Sequence, residues 1–335
     1  MDVMFALISK TGGGAEKSSV ELARELSKSL VVGTVYVRPQ IIDEVEPFYE
    51  ESLDLDSNGI LKTFKALLHF RKIVKLHQPS IIHAHCELPE IIVVWSTLFL
   101  NVRLRVTQHS PHPFPKNWKL LGLVTRALGQ LRNVQWFTPQ PAKRIAFGLS
   151  VPRTLPNTVY FDGMYRDGLT AEVSGPFLCF IGRLHPEKNP ILALEIARRT
   201  GVKNLVFLGD GPLRESLTSD TEINVIHKGF VKDPWSCAIK AKAVIVTSHF
   251  EADGLVIVEA IMRNVPLLVL SFPGIQNHKL PTGSLCQSPE EMIDKISNLY
   301  DGAVAPIEYV DFELAQDLIQ QRSPMRIANL YREIY

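Results

Sequence analysis

The sequence predicts an α/β protein built from two doubly wound parallel sheets, one after the other. Three observations predict it. Short apolar runs alternate with amphipathic segments from end to end. The connections between them are short. The alternation also breaks once, over the polar, glycine-containing stretch 162–176, and then restarts. Repeated strand–helix units with short connections are the signature of parallel sheets covered by helices. A length of 335 residues is comfortable for two domains.

In order, residues 3–8 read as a strand, followed by Gly12-Gly13-Gly14 and a helix over about 17–30. Ser18 and Glu21 have capping-box spacing at its start. A strand over 31–37, an acidic loop over 41–58 and a helix from Ile60 to His77 come next. The strand 80–85, a helix over 88–100, the strand 104–108, a helix over 117–131 and a short strand near 134–138 complete the first half. In the second half, 177–181, 204–208, 223–227, 243–246 and 267–270 read as strands, with a helix over 190–199. A last helical segment, 311–333, follows the second sheet. The expected organisation is a first domain over 1–162, a linker over 163–176, a second domain over 177–310, and a segment over 311–335 that packs back on the first domain.

Composition bounds the function. Hydrophobic residues make up 46% and charged residues 21%, which describes an ordinary globular protein. Cys86, Cys179, Cys237 and Cys286 are far apart and have neither zinc-ligand nor redox spacing, so reduced thiols in a cytoplasm are expected. The start has no basic n-region, and the most apolar run, 91–100, is too short to span a bilayer. The net charge of +1 hides an asymmetry. Residues 1–56 hold 5 basic against 11 acidic side chains, and residues 57–161 hold 14 against 2, namely Glu87 and Glu90. Such a basic segment attracts an anionic partner: a membrane surface, a phosphorylated ligand or nucleic acid. Nucleic acid is disfavoured because no aromatic-interleaved motif accompanies the charge.

Four constellations carry chemistry. Glu251 and Glu259 flank a glycine-containing turn that leads from the strand at 243–246 into a helical pattern. The free N–H groups of such a helix start favour an anion, and two carboxylates there hold hydroxyls of a sugar or ribose. Gly182-Arg183-Leu184 with Lys188 puts two cations after another strand, suited to a diphosphate. Gly209 opens Gly209-Asp210-Gly211-Pro212, a tight turn by composition. His109 ends a strand of the first half, where it bonds a sugar hydroxyl or acts as a base; His83 and His85 stand one strand earlier. No cysteine or carboxylate completes metal spacing around them, so no metal is expected. Gly12-Gly13-Gly14 lacks both dinucleotide and P-loop spacing.

Taken together, these segments resemble the family 4 glycosyltransferases, with their GT-B fold of two Rossmann-like domains facing across a cleft. Gly13-Gly14-Ala15-Glu16-Lys17 is similar to that family's N-terminal glycine loop, Ser80 to His85 to its histidine-bearing strand, and Pro156-Asn157-Thr158 to its Pro-Asn-Gly. Arg183, Lys188, the Gly209 turn and Glu251…Glu259 follow in the family's order. The resemblance implies that Arg183 and Lys188 bind the donor pyrophosphate without a metal or other cofactor. It further implies that Glu251 faces the transferred sugar and that Glu259 holds the ribose. The amides of Asp253, Gly254 and Leu255 would cradle phosphate and sugar, with Gly13 and Gly14 also beside the donor. His109 would line the acceptor side. The implied reaction retains anomeric configuration, the leaving phosphate helping to deprotonate the acceptor.

The implied donor is a UDP- or GDP-sugar, and the implied acceptor a saccharide or polyprenyl-diphosphate-linked saccharide of bacterial surface polysaccharide or glycolipid synthesis. A nucleotide-sugar epimerase and a non-catalytic sugar-nucleotide or polyanion binder are the alternatives. Three positions depart from the family: Ala252-Asp253 replaces Gly-Phe, Asn277 stands where Glu is usual, and Asn264 replaces a glycine. Asp54-Leu55-Asp56 formally resembles the metal motif of another glycosyltransferase fold but reads as a solvated acidic loop.

The basic half also carries two amphipathic patterns. Leu61, Phe64 and Leu68 form a stripe beside Lys62, Lys65, His69 and Lys72. Trp118, Leu121, Val124 and Leu128 form another beside Lys116, Lys119 and Arg126. Either stripe is the core face of a sheet-covering helix, or the pair docks on an anionic membrane from the cytoplasmic side.

Overall fold

The computed structural model describes residues 1–335 except 11–12, 41–45, 57–58, 110–117, 142–151, 160, 162–172, 174, 220 and 304. The chain divides into two compact units, Met1–Tyr160 with Arg322–Tyr335, and Phe161–Gln321. Most of the expected linker lies outside the described residues.

The first unit is a parallel sheet in the order β3-β2-β1-β4-β5-β6-β7. Its strands are β1 (Val3–Leu7), β2 (Val32–Tyr36), β3 (Tyr49–Ser52), β4 (Ile81–His85), β5 (Arg103–Thr107), β6 (Gln135–Thr138) and β7 (Arg153–Thr154). Its helices are α1 (Gly14–Leu26), α2 (Ile60–His77), α3 (Glu87–Ser96), α4 (Lys119–Leu131) and the last helix of the chain, Pro324–Ile334. Strand alternation sorts the two faces. Met4, Ala6, Ile82 and Ala84 pack with α2 and α3, whereas Val3, Phe5 and Leu7 pack with α1 and the Pro324–Ile334 helix. By the same alternation His83 and His85 belong to the α1 face.

The second unit repeats the plan, with β8 (Leu178–Ile181), β9 (Asn204–Leu208), β10 (Asn224–His227), β11 (Ala243–Val246), β12 (Leu267–Leu270) and β13 (Leu285–Cys286) in the order β10-β9-β8-β11-β12-β13. Its helices are α5 (Pro190–Arg199), α6 (Trp235–Ala238), α7 (Leu255–Met262), α8 (Pro289–Tyr300) and α9 (Phe312–Arg322), which makes the last helix of the chain α10. Within each sheet the strand order reverses once, between β1 and β4 and between β8 and β11. Open α/β sheets bind ligands beyond the strand ends at that point.

Several local expectations change. The first helix starts at Gly14, and Gly13 donates its N–H to the Glu16 carboxylate at 2.9 Å. Ser18 is therefore inside the helix, where it is buried and meets the Thr158 hydroxyl at 3.1 Å, and Glu21 pairs with Arg24. The acidic loop contains β3, which aligns with β2 from Gly33↔Tyr49 to Tyr36↔Ser52. Helix α8 and the short α6, β7 and β13 are additions to the elements expected from the sequence. The segment 311–333 is two helices, because Pro324 lacks an N–H and disfavours helix at the residue before it. Ser323 caps the second, its hydroxyl accepting from the Arg326 amide.

The helical faces also differ from one reading of the sequence. In α2 the core residues are Ala66, Phe70, Ile73 and Val74, and Leu61, Phe64 and Leu68 face solvent. In α4 the buried residues are Gly122, Thr125, Arg126 and Gly129. Leu120 and Leu131 are 73% and 81% exposed, with Leu121 and Val124 also at the surface. Arg126 is thus not a surface cation: its Nε lies 3.6 Å from the fully buried Glu90 carboxylate, which accepts hydrogen bonds from Gln108 and Trp136. Helices α2, α3 and α4 pack side by side, α3 between the other two. Lys116 lies outside the described residues.

Candidate functional site

In the second unit the expected donor residues gather beyond the carboxyl ends of β8, β9 and β11. Lys188 ends a short 3-10 turn after β8, and its ammonium donates to both carboxylate oxygens of Glu251 at 2.7 Å. Ser248 donates to the same carboxylate at 2.7 Å. Charge-assisted, two-oxygen contacts of this kind fix orientation. Arg183 is exposed and approaches Glu187 loosely, at 3.8 Å, so among the described residues its fork is available to a ligand. The two cations sit on opposite ends of one loop, both near the point where the strand order reverses.

Helix α7 begins directly after this loop system. Its N-cap, Gly254, has φ +58, and a methyl there would meet the His278 ring at 2.9 Å, so glycine is required for conformation and for space. The first-turn amides of α7 have no partner within the helix and point the positive end of its dipole towards the loop. Asp253 is buried at this entrance, and Asn277 is exposed in the turn after β12. Glu259 lies in the second turn of α7, and one of its oxygens accepts the Trp235 indole N–H at 2.9 Å. Trp235 is itself buried, and the Arg263 guanidinium lies 5.2 Å above its ring. Gly209 packs against β8 so closely that a methyl would overlap the Gly182 carbonyl, with φ +148. Asn264 adopts φ +54, a left-handed conformation that asparagine tolerates.

The first unit holds a second cluster at the ends of β1, β4 and β5. His83 lies between the Thr107 hydroxyl at 2.8 Å and the Tyr335 hydroxyl at 2.7 Å. His85 Nδ1 lies 2.9 Å from the Ser19 hydroxyl and 3.0 Å from His109 Nε2. Burial drives His83 and His85 well below the usual histidine range and His109 down to about 4, so all three rings are neutral at neutral pH. Glu87, at the start of α3, is pushed up to about 7 by burial. Gly13 and Gly14 open α1 beside β1, and Gly12 lies outside the described residues. Pro156-Asn157-Thr158 reaches α1 through Thr158, whose hydroxyl donates to the Ser18 carbonyl.

The structure therefore joins Lys188 to Glu251 and His85 to His109, while Arg183 and Glu259 each stand on a neighbouring element. It adds Trp235, Ser248, Ser19, Thr107 and Tyr335, none of which the sequence singles out. Asp54 and Asp56 are exposed on a loop, as expected, with Asp56 paired to Lys62; Leu55 between them is 2% exposed, and the segment borders an open recess of about 360 Å³ with Lys65 and His69. No group of three or more His, Cys, Asp or Glu side chains suited to a metal occurs among the described residues.

The chain, with its two Rossmann-like sheets, is similar to known proteins. Residues 165–320 match the family Glycosyl transferases group 1. The match covers most of the second unit, and the chemistry of the chain is glycosyl transfer. The chain is 25% identical over 290 residues, 79% of its own length and 78% of the other's, to a Campylobacter jejuni protein. That protein is the GalNAc-alpha-(1->4)-GalNAc-alpha-(1->3)-diNAcBac-PP-undecaprenol alpha-1,4-N-acetyl-D-galactosaminyltransferase. Among solved structures, Anabaena HepE in complex with UDP and glucose superposes with a TM-score of 0.77 over 100% of this chain and 99% of that one, at 15% identity. Sucrose-phosphate synthase from Thermosynechococcus elongatus gives 0.75 over 100% and 99%, at 16% identity. The lipopolysaccharide outer core galactosyltransferase WaaB gives 0.65 over 99% and 98%, at 15% identity. At these identities the likeness establishes the GT-B fold.

Proposed function

We propose that the protein is a retaining, metal-independent glycosyltransferase. In this reading it moves a hexosyl or N-acetylhexosaminyl group from a UDP-sugar to a saccharide carried on a polyprenyl diphosphate. The observation that carries the reading is the Lys188–Glu251 pair beside the start of α7, with the exposed Arg183, loosely paired with Glu187, on one side and Glu259 locked by Trp235 on the other. A donor diphosphate at this place meets two cations and a helix N-terminus, and neutralising the charge of the leaving group does most to lower the barrier in such chemistry. Glu259 then holds the ribose hydroxyls with the oxygen lone pairs that Trp235 leaves over. Glu251, anchored by Ser248, faces the sugar once the phosphate competes for Lys188.

The choice of UDP over GDP draws on HepE, which has been crystallised with UDP and with UDP-glucose. The choice of a lipid-linked acceptor draws on the activity of the Campylobacter relative. A lipid-linked acceptor also gives meaning to the outward apolar residues of α2 and α4. Leu61, Phe64, Leu68 and Leu76 stand among Lys65, Lys72 and Lys75, which have no acidic partner among the described residues. An anionic bilayer surface accepts both the apolar side chains and the charge.

Thermal unfolding with chelator present tests the donor site. UDP-sugar at about 100 times its dissociation constant stabilises by roughly 2.7 kcal/mol. The shift is expected with UDP- and not GDP-sugars, and it disappears in Arg183→Ala and Glu259→Ala. A shift only with GDP-sugars overturns the donor assignment, and no shift with any nucleotide sugar overturns the site. Donor consumption without acceptor would favour an epimerase.

A further inference from the structure

The hydrogen bonds around His109 determine which of its nitrogens carries the proton. Ser19 has one hydroxyl proton, and its oxygen lies 2.8 Å from the Ala15 carbonyl. A carbonyl only accepts, so that proton goes to Ala15. The Ser19 oxygen, 2.9 Å from His85 Nδ1, is then the acceptor of that contact, and His85 carries its proton on Nδ1. The same Nδ1 lies 3.0 Å from His109 Nε2. Two N–H groups do not face each other at that distance, so His109 Nε2 is a lone pair. A neutral His109 must then carry its proton on Nδ1. That nitrogen is buried and has no partner among the described residues, and neither has His85 Nε2.

We infer that Ser19 and His85 are positioning residues that hold His109 in its Nδ1–H tautomer, so that His109 offers a ligand oxygen a hydrogen-bond donor rather than a base. The inference rests on the proposed function only for the ligand, a sugar or acceptor hydroxyl or a phosphate oxygen. The polarity itself follows from α1, β4 and the end of β5. The chain of contacts is directional: the Ala15 carbonyl at the start of α1 fixes the Ser19 hydroxyl, Ser19 fixes His85, and His85 fixes His109. The deprotonation of an acceptor hydroxyl is thereby assigned elsewhere, in keeping with a leaving phosphate as base. His85 is 4% exposed and Ser19 2%, so water does not compete for these contacts.

Two-bond proton–nitrogen correlation spectra of the full chain with ring-15N histidine read the tautomer directly. The wild type is expected to show His109 protonated on Nδ1 alone. In Ser19→Ala the acceptor that fixes His85 is gone, and a preference of about tenfold falls to comparable populations of the two His109 tautomers. Ser19→Thr, which keeps the hydroxyl, is expected to restore the wild-type pattern. Wild-type His109 protonated on Nε2, or a Ser19→Ala spectrum identical to wild type, overturns the inference. The activity assay is a separate arm. If the spectra behave as expected while His109→Ala transfers sugar at the wild-type rate, the tautomer assignment stands and the placing of His109 in the site falls.

Discussion

Trp235 commits one oxygen of Glu259 before any ligand arrives, through an indole N–H at 2.9 Å from a side chain that is 1% exposed. A glutamate in the second turn of a helix otherwise samples several rotamers, and ordering it costs free energy on binding. Trp235→Phe keeps most of the ring packing and removes the donor. We expect stability to fall by about 1 kcal/mol, the worth of one hydrogen bond. UDP affinity is expected to fall about tenfold, the result of one unfixed carboxylate. Calorimetric titration with UDP checks it, and unchanged affinity would leave Trp235 a purely packing residue. This is also the scale at which reading from sequence stops. Arg183, Lys188, Glu251 and Glu259 can be singled out from the sequence because each falls near a predicted strand end or helix start. Trp235, Ser19 and Tyr335 are not, because their partners lie 24, 66 and 252 residues away and no local pattern marks them.

Helix α4 is turned inside out relative to an ordinary surface helix. Its inward side is glycine, threonine, the partly buried Leu128 and an arginine beside Glu90; its outward side is Leu120, Leu121, Val124 and Leu131. Burying such a leucine would contribute about 1.5–3 kcal/mol, a gain the chain forgoes at Leu120 and Leu131. Sequence periodicity locates α2 and α4 well, but it does not say which stripe faces in. In α2 both Leu61/Phe64/Leu68 and Ala66/Phe70/Ile73/Val74 are apolar, and packing chooses the second. Replacing Leu120, Val124 and Leu131 together by serine should therefore change stability by no more than about 0.5 kcal/mol at each position, as for ordinary surface sites. The same variant should lose flotation with anionic vesicles, and vesicle binding of the wild type should weaken with salt. Arg126→Ala, one turn away and facing inward, should instead cost about 3–5 kcal/mol by leaving Glu90 buried without its cation. Serine variants that unfold, or that bind vesicles like wild type, would remove α4 from the docking surface.

At the scale of the whole molecule the two sheets share one strand order, but the chain does not assign its last helices evenly. Helix α9 belongs with the second unit up to Gln321 and α10 with the first, and the change falls between Gln321 and Arg322, just before Ser323-Pro324. The repeated strand–helix alternation makes both sheets legible in the sequence. The break between α9 and α10 is marked only by one proline inside a helical pattern; β7 and β13 are too short to stand out, and β3, Tyr49–Ser52, has no apolar run. Helix α10 matters to the first sheet in three ways. Ile327, Ala328 and Tyr331 are buried against β1 and α1. Arg103 and Arg105 donate to the backbone oxygens of Tyr335 and Ile334, as cations at a helix C-terminus do. The Tyr335 hydroxyl meets His83, one residue along the strand from Ala84 and two from His85. Removing 323–335 would strip these contacts, at about 2–5 kcal/mol for each large buried side chain lost, and would leave Arg105 buried without its carbonyl. Hydrogen exchange on the truncated chain should show protection lost from β1, β4 and β5, while β8, β9 and β11 keep theirs and UDP still slows exchange in α7. Equal loss in both sheets would mean that α10 supports the chain as one cooperative unit rather than the first sheet alone.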